Sequence, residues 1–117
     1  MKKIAILVNE DTMNRCMSTG CVRAILNKED AFARYGDEEI QFVGISHGNG
    51  DMDKKFDQLF RKCVDTIHIS TCMRSKGKAY EDLGNLCLEA GFNVVGYTHG
   101  NEVSKDGIPA IVACIND

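Results

Sequence analysis

The sequence predicts an α/β fold, a three-layer sandwich of the flavodoxin or Rossmann type. In this fold a mostly parallel sheet of four or five strands lies between helices on both faces. Short apolar runs rich in β-branched residues alternate with segments whose apolar residues recur at helical spacing. This alternation is typical of right-handed βαβ crossovers. The first run, from Lys3 to Val8, is apolar at consecutive positions from Ile4 onward, which indicates a strand covered on both faces.

Each predicted element follows from its apolar spacing and its terminating residues. The predicted strands are 3–8, 39–46, 66–70, 92–98 and 108–115, and the direction of the last strand is left open. A first helix begins near Ser18 or Thr19, both common N-caps, and 31–35 either continues it or forms a short turn. Two more helices are predicted from the apolar stripe of 56–63 and from 79–90. Segments 9–15 and 71–76 are predicted to be loops.

Length and charge indicate one domain spanning 1–117 and exclude several partners. The chain has 117 residues, too few for two independent cores. Its net charge is −3, its basic residues are scattered and it has no tryptophan, so a nucleic-acid partner is not expected. The N-terminal apolar run, Ile4 to Val8, is shorter than the ~7–15 residues of a signal peptide core. No stretch reaches the ~20 apolar residues of a membrane span, so we expect a cytoplasmic protein without a membrane partner.

The six cysteines fall below the ~8–10% of residues that marks a disulfide scaffold. In a reducing cytosol they are expected to be thiols, metal ligands or redox groups. Buried free cysteine behaves as a small hydrophobic residue. Cys63, Cys87 and Cys114 lie in predicted helix or strand segments, and we expect all three to pack in the core.

The remaining cysteines and two histidines follow the ends of predicted strands. In open parallel sheets, ligands bind beyond the carboxyl ends of the strands, where the loops meet. The loops after the first four strands carry Cys16, Cys21, His47, Cys72 and His99. The topology therefore predicts a Cys/His site at this edge of the sheet, built from residues that are distant in sequence.

Cys16 and Cys21 are separated by four residues, within the ~2–4 residue spacing of zinc ligands. They lie near a predicted helix N-terminus, whose dipole favours thiolate. Metal ligation, redox chemistry and packing all stay open for this pair. His47 and His99 are each either a ligand or an ordinary loop histidine. His68 alternates within the third strand, and we expect it to be packed or hydrogen-bonded in the sheet.

Several segments together resemble the CGGC domain family, small microbial proteins regarded as metal binders. In order they are 16–21, Ala31-Phe32-Ala33-Arg34-Tyr35, Phe42-Val43-Gly44-Ile45, Asp65-Thr66-Ile67-His68-Ile69-Ser70-Thr71-Cys72-Met73 and Val94-Val95-Gly96-Tyr97-Thr98-His99. The resemblance covers residues 2–99. It implies metal ligation by the matching residues Cys16, Cys21, Cys72 and His99. The naming motif of the family falls at Gly48-Asn49-Gly50-Asp51, where both cysteines are replaced.

Three hypotheses for function remain open, in decreasing order of preference. The first is a metal-binding protein that holds zinc or iron with three thiolates and His99 or His47. The second is a thiol redox or sulfur-handling enzyme in which Cys72 attacks and Cys16 or Cys21 resolves. The third is a non-catalytic binding module with a degenerate site. A homodimer also stays open, because an exposed edge strand needs protection.

Overall fold

A five-stranded sheet organises the computed structural model, which describes residues 1–114. The strands are β1 (Lys2–Val8), β2 (Ile40–His47), β3 (Thr66–Ile69), β4 (Asn93–Val95) and β5 (Val112–Ala113). They lie side by side in the order β2-β1-β3-β4-β5. The first four strands are parallel, and β5 is antiparallel to β4. The predicted mostly parallel α/β fold is therefore confirmed, and the direction of the last strand is settled.

The connections between the strands are largely helical. The helices are α1 (Glu10–Met13), α2 (Thr19–Asn27), a 3-10 helix (Asp30–Tyr35), α3 (Met52–Arg61), α4 (Thr71–Arg74) and α5 (Lys78–Ala90). The segments that contain α1 and α4 were predicted to be loops. Each of these helices is a single turn that follows a strand almost directly, and one turn is too short to show an apolar period. Glu10 and Asp11 favour α1, since they place negative charge at its N-terminus.

The side chains of β1 alternate between two cores, one on each face of the sheet. Ala5 and Leu7 belong to the core formed with α3 and α5, which also contains Phe56 and Cys87. Ile4, Ile6 and Val8 belong to the core formed with α2 and the 3-10 helix, together with Ala24, Ile25 and Phe32. This arrangement explains the unbroken apolar run of β1, because both of its faces are covered.

Of the three cysteines predicted to pack in the core, one is buried and two are exposed. Cys87 is fully buried, as predicted. The prediction is wrong for Cys63 and Cys114, which are exposed. Helix α3 ends at Arg61, so Cys63 lies in the following turn with a positive φ of 62° and leaves the helical stripe. Cys114 follows β5, a two-residue strand that ends before reaching it.

Strand β4 has three residues and is shorter than the predicted strand 92–98. Its parallel ladder with β3 ends at Val95. Residues 96–98 continue past the ladder and remain buried, since they run into the region where the strand ends meet. The predicted last strand, 108–115, is reduced to Val112–Ala113, and Ile115 lies outside the described residues. Within residues 1–114, none of the helices has the length and apolar character needed to cross a membrane.

Candidate functional site

A small cavity of about 40 Å³ lies at the carboxyl edge of the sheet. Four of the five predicted site residues line it: Cys16, Cys21, Cys72 and His99. They come from the segments after β1, β3 and β4, so residues more than eighty positions apart meet here. The convergence follows from the parallel topology, because the carboxyl ends of these strands lie at one edge.

Cys21 is the most deeply buried of the three thiols that line the cavity. It lies in the first turn of α2 and is 4% exposed. Its Sγ is 3.2 Å from Ser70 Oγ and 3.1 Å from Thr98 Oγ1. Both hydroxyl residues are buried: Ser70 directly follows β3, and Thr98 lies three residues beyond β4. The two hydroxyls therefore hold the Cys21 thiol in place between the ends of neighbouring strands.

Cys72 is half-buried in the first turn of α4. Its thiol donates to Ser70 Oγ at 3.3 Å, and its Sγ accepts a hydrogen bond from the backbone N–H of Asn9 at 3.4 Å. Ser70 is thus shared by Cys72 and Cys21. An N–H that points at sulfur stabilises negative charge on it, which suits both a metal ligand and a nucleophile.

Cys16 and His99 line the cavity as well and are more exposed than Cys21. Cys16 is exposed, and its Sγ accepts from the backbone N–H of Ser18 at 3.2 Å. His99 is fixed through its backbone, because Thr71 Oγ1 donates to His99 O at 2.6 Å and accepts from His99 N at 3.2 Å. Its ring lies against Gly20, where a Cβ would be 3.1 Å from His99 Cδ2. Glycine at position 20 therefore lets the imidazole lie close to the start of α2.

His47 is not among the residues that line the cavity. It ends β2, where its Nε2 is 3.8 Å from Glu10 Oε2 and its Nδ1 accepts from Asn49 N at 3.2 Å. The structure therefore places His47 with Glu10 and the turn after β2 rather than with the thiols.

The turn at 48–51 is held by contacts within the protein. Lys55 Nζ donates to His47 O at 2.8 Å and to Asn49 O at 2.6 Å. Asp51 caps α3 by accepting from Lys54 N at 3.0 Å. A Cβ at Gly48 would be only 2.6 Å from Leu83 Cδ2, so a larger residue at position 48 requires Leu83 to move. These hydrogen bonds connect the end of β2 to the start of α3 and fix the conformation of the turn.

His68 is buried and hydrogen-bonded in the sheet, as predicted. Its Nδ1 lies 3.0 Å from Tyr97 O and its Nε2 lies 2.7 Å from the Tyr35 hydroxyl. A carbonyl only accepts, so Nδ1 carries the proton and Nε2 accepts from Tyr35. The ring also stacks on Phe32 at 4.1 Å. Burial lowers the pKa of His68 to about 3, which keeps the ring neutral, and both nitrogens are already engaged.

The lining residues suit a thiophilic metal in chemical type. Three thiols and one imidazole match the donor set of a tetrahedral zinc site. In the part of the chain that the structure describes, however, no three His, Cys, Asp or Glu side chains are already grouped as metal ligands. The Cys21 and Cys72 thiols instead contact the Ser70 hydroxyl. Metal binding would therefore require these side chains to exchange hydrogen bonds for coordinate bonds.

Three residues of the site were not predicted from the sequence: Ser70, Thr98 and Gly20. Ser70 and Thr98 contact the Cys21 thiol, and Gly20 receives the His99 ring. Ser70 precedes Thr71-Cys72 and Thr98 precedes His99, so both lie at predicted strand ends. Hydroxyl side chains at the ends of apolar parallel strands were the available signal.

Comparison with known proteins gives one match. A family model described as CGGC domain matches residues 3–99. This range includes every residue that lines the cavity. No curated protein and no solved structure is similar enough to this chain to count as a match.

Proposed function

Because this chain belongs to the CGGC domain family, we propose that it is a metal-binding protein. The proposed ligands are the four Cys and His residues among those that line the cavity at the carboxyl edge of the sheet: Cys16, Cys21, Cys72 and His99. The observation that carries the proposal is that these residues, supplied by three separate segments, share one cavity of about 40 Å³. His99 is preferred to His47 as the fourth ligand because His47 does not line that cavity.

The donor types favour zinc or iron over harder ions. Thiolates and imidazole bind zinc strongly, whereas magnesium and calcium prefer oxygen ligands. A bound zinc ion would supply coordinate bonds that link the segments after β1, β3 and β4. The Asn9 N–H that points at Cys72 Sγ would support a thiolate ligand in this position.

Cys72→Ser is expected to abolish stoichiometric metal binding. Wild-type protein purified without a tag and without oxygen should contain about one zinc or iron per chain, and the variant well under half of that. The loss follows because a serine hydroxyl is a poor ligand for these ions at neutral pH. Elemental analysis of the purified proteins measures the effect directly.

The matched control for this experiment is Cys63→Ser, which replaces an exposed thiol that does not line the cavity. It should retain the metal content of the wild type. Wild-type protein without metal would overturn the proposal. If the triple variant at Cys16, Cys21 and Cys72 were then also as stable as the wild type, the non-catalytic binding module would be favoured.

A thiol redox or sulfur-handling enzyme is the second candidate, and the shared contact of Ser70 supports it. The Ser70 hydroxyl is 3.2 Å from Cys21 Sγ and 3.3 Å from Cys72 Sγ, so the two sulfurs flank one small group. Cys72 is the more accessible thiol and receives the Asn9 N–H. These features fit Cys72 as the attacking thiol and Cys21 as the resolving one.

Hydrogen peroxide is expected to convert Cys72 and Cys21 to a disulfide in metal-free protein. The Cys72 thiolate takes one oxygen to become a sulfenic acid and hydroxide leaves. The Cys21 thiol then attacks that sulfur, the S–S bond forms and water is released. Peptide mass spectrometry should find the Cys21–Cys72 bridge in the wild type and a trapped sulfenic acid in Cys21→Ser. Oxidation of Cys63 at the same rate as Cys72 would argue against this candidate.

A further inference from the structure

Strand β2 is the longest strand of the sheet and lies at its edge. It has eight residues, whereas β3 and β4 have four and three. Its only strand partner among the described residues is β1. One side of β2 therefore leaves backbone N–H and C=O groups without a neighbouring strand. Long exposed edges of this kind recruit another strand unless something protects them.

A groove of about 920 Å³ runs beside this edge, between β2 and α3. Gly44 of β2 and Ala5 of β1 both line the groove, and they pair with each other in the sheet. The register of β2 against β1 shifts by one residue just before this pair, after Phe42. Both paired residues are small, and paired residues of neighbouring strands point to the same face. A Cβ placed on Gly44 would meet no atom within 4 Å. The groove is therefore open above Gly44, and its volume is large enough to receive an apolar side chain.

The charges of the groove are of one sign. Lys55, Arg61 and Lys62 line it, and no Asp or Glu is among its lining residues. Arg61 pairs with Asp57 at 2.9 Å, whereas Lys62 has no ion pair within residues 1–114. The whole chain carries a net charge of −3, so this groove is locally basic on an acidic protein. An occupant with negative charge is therefore favoured.

A second copy of this chain fits the groove poorly. Antiparallel pairing of two β2 edges about a two-fold axis would join the two grooves across that axis. The lysines and arginine of one copy would then face those of the other, and like charges in such an arrangement are repulsive. A partner with carboxylates meets no such repulsion.

We propose that the β2 edge and its groove bind an extended acidic peptide segment of a partner protein. The segment adds a strand to β2, places an apolar side chain over Gly44, and directs carboxylates toward Lys62 and Arg61. Strand addition supplies affinity through main-chain hydrogen bonds, and the groove and its charges supply selectivity. The surface lies apart from the cysteine cavity, since the two share no lining residue.

The probe for this proposal is a short dye-labelled peptide with glutamates at both ends and valine and leucine in between. Wild-type protein should raise its fluorescence anisotropy and shift the backbone amide NMR signals of 41–46. Gly44→Val should weaken binding by at least about tenfold, because its side chain would occupy the groove at a position where an added Cβ meets no atom within 4 Å. Lys62→Glu should weaken it roughly fivefold, and rising salt should weaken wild-type binding.

The matched control is Lys54→Glu, which reverses an exposed charge on α3 outside the groove. It should bind the peptide as the wild type does. Three results would each overturn the proposal: equal binding of the peptide with lysines in place of glutamates, unchanged binding by Gly44→Val, or no shifts in 41–46. A dimer in sedimentation equilibrium that Gly44→Val converts to monomer would instead assign the edge to a second copy.

Discussion

Gly96→Ala is expected to lower the free energy of unfolding by about 3 kcal/mol. Gly96 follows β4, and its N–H donates to Ile111 O at 2.6 Å. The buried Tyr80 hydroxyl donates to Gly96 O at 2.6 Å and accepts from Ile111 N at 3.0 Å. A Cβ at position 96 would overlap the Tyr80 hydroxyl and come within 2.9 Å of the Ile111 backbone nitrogen. Because backbone lies on one side and a buried ring on the other, neither neighbour can yield cheaply.

Urea denaturation of the wild type and the variant measures this loss. The matched control is Gly44→Ala, where the added methyl group meets no atom within 4 Å. Its unfolding midpoint should stay close to that of the wild type. Equal midpoints for the two glycine variants would show that Tyr80 and the segment before β5 move aside freely.

Stability is expected to fall as the pH drops below 6.5, with His68 as a principal cause. The pKa of this histidine is lowered from 6.5 to about 3, mainly by burial. Below pH 6.5 His68 is therefore protonated in the unfolded chain but stays neutral in the folded chain. Because the unfolded state binds the additional proton, the free energy of unfolding decreases as the pH falls to about 3. The loss from this group amounts to ~5 kcal/mol at most. Arg34 opposes protonation of His68 as well, and the Tyr97 carbonyl favours it.

The comparison that isolates His68 is urea denaturation at several pH values between 7 and 5 for wild type and His68→Gln. Glutamine retains a donor and an acceptor for Tyr97 and Tyr35 but does not titrate. The variant should be less stable at pH 7, yet its stability should change less between pH 7 and 5. Parallel slopes for the two proteins would exclude His68 as the cause.

Much of the fold follows from the sequence because it depends on local patterns. The unbroken apolar run of β1 and the stripe of α3 each specify an element and the face it buries. Very short elements cannot be predicted in this way. Helices α1 and α4 have one turn each and β5 has two residues, so none of them shows a periodic pattern of apolar residues. The exposure of Cys63 also escaped it, because the residue where α3 ends decides whether that thiol stays on the apolar stripe.

For the candidate site, too, part could be predicted from the sequence and part depends on the tertiary structure. By itself the sequence determined that thiols and histidines follow the carboxyl ends of several parallel strands, and the topology brings such positions to one edge. Only the tertiary structure decided that His99 shares the cavity with the thiols while His47 does not. It also decided that Ser70 contacts both Cys21 and Cys72. The physical reason is that periodicity fixes which edge or face a residue occupies, whereas contacts of about 3 Å depend on how neighbouring elements pack.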